Sequence, residues 1–214
     1  MTIFPTAEIE AAVRSVPEFS SWVEGFNTFE EAWAQCQQGT WMLKYLLEYL
    51  LEFNPDSKYF HEIGLRAARR AMNSLKTQDA RCMKALEAKE RWLRGDLAFA
   101  DLTVIREEAK KAVKEALKAR SDAYLKARNS VEILEFNHPY LDDIALACFA
   151  AQASCSAWNS VHTGIKEAAA AVNDALGAYD SEMVVAEMAA QSEDTRHFFP
   201  RITPRTRFER EPVI

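Results

Sequence analysis

The sequence predicts an all-α protein: a single-domain multi-helix bundle, or stacked helical hairpins, built around one buried helix at about residues 141–160. Three observations carry this. Gly (6) and Pro (7) are scarce in 214 residues while Ala is abundant, a bias that favours helix over strand and turn. Apolar residues recur at spacings of three and four over long stretches, the period of a helix with one face in a core. The stretch from Ile144 to Trp158 reads IALACFAAQASCSAW, with no charge and only Gln152, Ser154 and Ser156 polar. A helix apolar on every side is a buried helix, and this one is too short to span a bilayer.

The elements follow in order. Residues 6–14 make a short helix with Ile9, Ala12 and Val13 on one face. A second begins after Val16-Pro17, since Pro is tolerated in a first turn, and runs to Glu24. Thr28 and Glu31 form a capping box ahead of Phe29, Ala32, Trp33 and Cys36. Trp41 to Phe53 is so apolar that only Lys44, Glu48 and Glu52 mark an outer stripe. Asn54-Pro55 ends it. Asp56 or Ser57 then caps a helix from about Lys58 to Leu75 that buries Phe60, Ile63, Ala67 and Ala71 and exposes Arg66, Arg69 and Arg70. Asp79 caps the next helix, and Gly95 stops it. Asp101 caps the longest segment. There Leu102, Ile105, Ala109, Ala112, Ala116, Ala119, Ala123, Ala127, Val131 and Leu134 form one stripe, with Arg106, Lys110, Lys114 and Lys118 on the outer face. Asn137-His138-Pro139 breaks the chain before the central helix. Gly164 separates that helix from an amphipathic continuation, Ile165 to Ala178, and Asp180 or Ser181 opens a last helix to about Gln191. The helical domain is therefore residues 1–195. Residues 196–214, with three prolines and five arginines, form an extended basic tail.

Composition narrows the function classes. The chain has no secretion signal and no run of apolar residues long enough for a membrane span, so cytoplasmic residence without membrane association is expected. Cys36, Cys82, Cys148 and Cys155 lack metal-finger or CxxC spacing and are expected to be buried thiols. The net charge of −6 is unevenly spread: residues 1–57 hold 2 basic against 9 acidic side chains, residues 58–128 hold 18 against 10, and residues 129–195 hold 1 against 11. Such blocks complement one another within the fold or across an oligomer interface, or else the basic middle binds an anion.

Catalytic chemistry finds little to stand on. Glu135-x-x-His138 and Asp194-x-x-His197 lie at helix ends, not mid-helix on two apolar faces as a di-iron bundle requires, so no metal is expected. Cys148, Cys155 and His162 share a helix face but lack an orienting group. No phosphate-cradling Gly loop or nucleophile elbow occurs, and no cofactor or catalytic residue is expected. The basic segment is richer. Arg69, Arg70, Arg81, Arg91 and Arg94 with Trp92 are the residue types that clamp a phosphate or nucleotide by charge and stacking, and they are the candidate ligand-binding residues. The same residues equally suit a solvated face with Trp92 in the core. No polar recognition helix points to nucleic acid.

The run Asp79-Ala-Arg81 through Ala85-Leu86-Glu87-Ala88, Trp92, Gly95 and Asp96, followed by an Ala-rich helix, resembles the motif D-x-R-x-x-x-A-L-E-A-x-x-x-W-x-x-G-[DE] of a helical immunity protein family. That family is associated with bacterial polymorphic toxin systems and phage genomes. Ala32-Trp33-x-x-Cys36 through Trp41-Met42-Leu43 resembles its W-x-x-C…W-L-L element. The similarity covers about residues 28–176, and Gln37-Gln38-Gly39 departs from the family's commoner turn. The resemblance implies an all-helical fold without a catalytic site. The expected function is non-enzymatic: sequestering a protein partner, such as a toxin or a host defence component, as an immunity or phage counter-defence protein. The alternative is a sponge for a small anionic, nucleotide-type signal. A homo-oligomer is compatible with either.

Overall fold

The structure is a computed structural model that describes residues 16–50, 57–129, 139–161 and 164–200. The described residues form helices and no strand, so the all-α expectation is met. The elements are α1 (Pro17–Val23), α2 (Phe29–Gln35), α3 (Gly39–Leu50), α4 (Lys58–Asn73), α5 (Ala80–Leu93), α6 (Phe99–Asn129), α7 (Pro139–Ser160), α8 (Ile165–Leu176) and α9 (Ser181–Phe198). The expected helix at 6–14, the end of the Trp41–Phe53 helix, the stripe at Val131 and Leu134, the Asn137-His138 break and the tail beyond Pro200 lie outside the described residues.

Local chemistry sets most of the boundaries. Pro17 occupies the first turn of α1. Thr28, Ser57, Asp79 and Asp180 each accept a backbone N–H at the start of α2, α4, α5 and α9, satisfying donors that a helix start leaves open. Gly95 ends α5 with φ +83, a conformation that L side chains avoid. Its N–H donates to Trp92 O at 2.9 Å and that of Asp96 to Arg91 O at 2.8 Å, the paired bonds of a Schellman cap. Three boundaries differ from expectation: α3 begins at Gly39, two residues before Trp41. α6 begins at Phe99, so Asp101 sits in its first turn and not at its cap. α9 runs on to Phe198, so residues 196–198 complete a helix where the tail was expected to have begun. Phe199 is then buried, and its carbonyl accepts from Trp33 Nε1 at 2.9 Å.

Helices α4, α7 and α8 form the centre. α5 and α6 flank them on one side, and α9 and α3 on the other. The small α1 and α2 carry Phe19, Phe29 and Trp33 onto Tyr45 of α3 as one aromatic cluster. α3 sits hard against α9. A methyl group at Gly39 would lie 2.7 Å from the Gln191 carbonyl carbon and the Ser192 nitrogen, both backbone atoms. Gly39→Ala is therefore expected to lower stability by about 2–3 kcal/mol through overpacking, read as a fall in the thermal midpoint.

The central helix corrects the sequence in one respect. From Ala151 to Ser160, α7 is largely buried, and Gln152 and Asn159 donate to Asp174 of α8 at 2.8 and 2.6 Å. From Asp142 to Ala150 it is only half-buried or exposed, with Leu146 57% exposed. The reason lies in the neighbours. Gly177, at the end of α8, packs on Gln152, and Arg81 and Asp79, at the start of α5, reach only Glu115 of α6. Among the described residues, α6 and α7 continue beyond those levels as a two-helix arm. Tyr124 against Cys148 and Arg106 against Trp158 show that they run antiparallel.

Candidate functional site

The six candidate ligand residues do not converge on one surface. Arg69 Nε pairs with Glu90 on α5. Arg70 turns the other way, donating to Glu187 at 2.7 and 3.1 Å and to Asp194 at 2.6 Å on α9. Arg81 is shared between Asp79 and Glu115, both at 2.7 Å, and its hydrogen bonds hold Asp79 below the usual carboxylate range. Arg91 and Arg94 meet at Asp96, on its carbonyl at 3.5 Å and its carboxylate at 3.0 Å. Trp92 is 7% exposed, so its ring is core and not a stacking platform. Each guanidinium thus answers an acceptor within the fold, and Arg70 joins the basic middle to the acidic later part of the chain.

A buried cation lies under this surface. Lys89 is fully buried, with Nζ 3.0 Å from His61 Nδ1 of α4 and 4.1 Å from the centre of the Trp92 ring. His61 meets the same indole edge to face, with centroids 5.1 Å apart. Burial pushes the Lys89 ammonium down to about 7, with Glu62 opposing and Arg106 assisting the shift. A signal for this cluster was readable: Leu86, Lys89 and Leu93 share one helical face of α5, which puts an amine among core positions.

The arm presents exposed aromatic, aliphatic and basic side chains together. α6 from Ala116 to Asn129 buries only Ala127, and leaves Tyr124 and Leu125 each 52% exposed. Leu146 of α7 adds a third exposed apolar side chain. Arg120, Ser121, Tyr124, Leu125 and Arg128 line a groove of about 440 Å³ along this face. The Cys148 thiol donates to the Tyr124 hydroxyl at 3.4 Å. Sequence periodicity had placed the alanines of this stretch in a buried stripe.

Comparison with family models, curated proteins and solved structures finds no match. The resemblance to the immunity protein family therefore rests on its motif residues. In the structure, those residues have structural roles. Asp79 caps α5, Ala85, Leu86 and Ala88 are buried, Trp92 packs on Lys89, and Gly95 turns the chain.

Three of the four thiols are held in their protonated form by burial. Cys36 and Cys82 are buried, whereas Cys148 and Cys155 are only half-buried, in contrast to the expectation for all four. Burial pushes Cys82 and Cys155 up to about 11 and raises Cys36 as well; a thiol so raised is a poor thiolate source at neutral pH. Among the described residues, no group of three or more His, Cys, Asp or Glu side chains is placed to hold a metal ion, and no helix is long and apolar enough to cross a membrane.

Proposed function

We propose that this protein is a non-enzymatic binding protein that acts by occupying a protein partner, in the manner of an immunity or counter-defence protein, and that it docks through the α6–α7 arm. One observation carries this reading: two helices extend past their neighbours with Tyr124, Leu125 and Leu146 on the surface and arginines beside them. Exposed aromatic and aliphatic side chains next to Arg are the usual makings of an interface centre. The basic face of α6 favours a partner with an acidic surface, which would also speed encounter. In co-purification from host lysate, the wild-type chain is expected to retain a partner that Tyr124→Glu with Leu146→Glu loses. Retention by both forms would rule the arm out.

The alternative, capture of a small anionic ligand, moves from the arginines of α4 and α5 to the arm groove, where Arg120 and Arg128 flank Tyr124 and Ser121. A guanidinium pair beside a phenol ring suits a phosphate-bearing ring compound. A thermal-midpoint rise with cyclic or ADP-ribose-type nucleotides, abolished by Arg128→Glu, would favour this reading over the first.

A further inference from the structure

The two helices of the arm make an incomplete layer. Helices bury their apolar stripes against other helices, and a pair alone leaves one face of each in water. Here Tyr124, Leu125 and Leu146 are all exposed, and they lie near one level of the arm, since Tyr124 meets Cys148, two residues from Leu146. Charge on the arm is divided between its two members. On α6, Lys118, Arg120, Lys126 and Arg128 stand against a single acid, Asp122. The facing part of α7 opens with exposed Asp142 and Asp143 and has no basic residue anywhere from Pro139 to Ser160. A surface whose halves are opposite in sign is complementary to itself after a half-turn. A twofold axis through the arm brings α6 of one copy onto α7 of the other, and the same match recurs on the other side of the axis. The result is a four-helix bundle with the exposed tyrosine and leucines at its centre.

We propose that the arm is the docking site for the arm of a second copy of this chain. The inference rests on reading the arm as a protein-docking surface and names its first occupant. A foreign partner that presents acid beside apolar side chains competes for the same face.

Sedimentation equilibrium on the full chain at micromolar concentration tests it. The wild type is expected at the mass of two chains. Leu146→Glu, at a site already exposed, is expected to weaken the dimer roughly tenfold or more, the effect of charging a central apolar anchor, with an unchanged helical circular-dichroism spectrum. Arg120→Glu with Arg128→Glu is expected to be monomeric, because α6 and α7 of the two copies would then both be acidic. Asp142→Arg with Asp143→Arg is expected to be monomeric for the opposite reason. An equimolar mixture of these two charge variants should regain the two-chain mass, since each reversed helix then finds its complement. A wild type of one-chain mass throughout, or charge variants that dimerise as tightly as the wild type, would overturn the proposal. If that monomeric wild type still captures a partner that Leu146→Glu loses, the second copy is excluded and the protein-docking reading stands. If it captures nothing, both fall.

Discussion

Arg70→Met is expected to cost about 3–5 kcal/mol of folding stability, while Arg69→Met, one residue away, costs less than about 1 kcal/mol. The measurement is the urea midpoint of each variant at pH 7. The two arginines share a helix, a side-chain type and a similar exposure, so the difference lies in what each leaves behind. Arg69 faces Glu90, whose side chain is 36% exposed and would be hydrated at once. Arg70 faces Glu187, whose side chain is 2% exposed, and Asp194 at 10%. Without the guanidinium, Glu187 keeps only neutral partners, the 2.8 Å bond from Gln191 Nε2 and the Tyr179 side chain. A carboxylate stranded in this way forfeits its compensation for lost water. Asp194 is better placed, because Arg66 still donates to it at 2.9 Å. Arg70→Met with Glu187→Gln should therefore recover a substantial part of the loss, since it removes the stranded charge. A double variant no more stable than Arg70→Met would locate the cost elsewhere.

This contrast shows which parts of the molecule the sequence disclosed. Caps are local: Thr28, Asp79, Gly95 and Asp180 meet donors or dihedrals within a few residues, and each was legible from the chain alone. The burial of Phe60, Ile63, Ala67 and Ala71 followed from periodicity in the same way. The partners of Arg66 and Arg70 lie more than a hundred residues away, on a helix whose approach nothing local dictates. Charge-block complementarity pointed to such pairing but could not say which arginine turned inward. The arm was hidden for another reason. The apolar character of Ile144 to Trp158 sets how much surface calls for cover, not how far the covering helices reach. α8 ends level with Gln152 and α5 begins level with Glu115, so the same apolar pattern is core at one end of α7 and surface at the other. The six candidate ligand residues failed to assemble because a basic run on two helices has as many outward directions as it has turns.

Between pH 7 and about 10.5, the stability of the folded chain is expected to rise with pH by as much as about 1.4 kcal/mol per unit from Lys89 alone. The sign follows from proton counting. The unfolded amine keeps its proton up to its ordinary value of 10.5, whereas the buried amine releases it near 7. Across that window the unfolded state holds more protons, so raising the pH favours folding. Below pH 7 both states are protonated, and the full cost of burying the ammonium is present. The contacts that moderate this cost include the 3.0 Å bond to His61 Nδ1 and the Trp92 ring face at 4.1 Å. Glu62 lends some attraction, and Arg106 opposes it. Urea titrations of the wild type and of Lys89→Met at pH 7, 8 and 9 would read the effect directly, because Met fills similar volume without a proton to bind. The wild-type slope should flatten in the variant. Parallel slopes would assign the pH dependence to other groups and return Lys89 to an amine that ionises in the fold as it does in water.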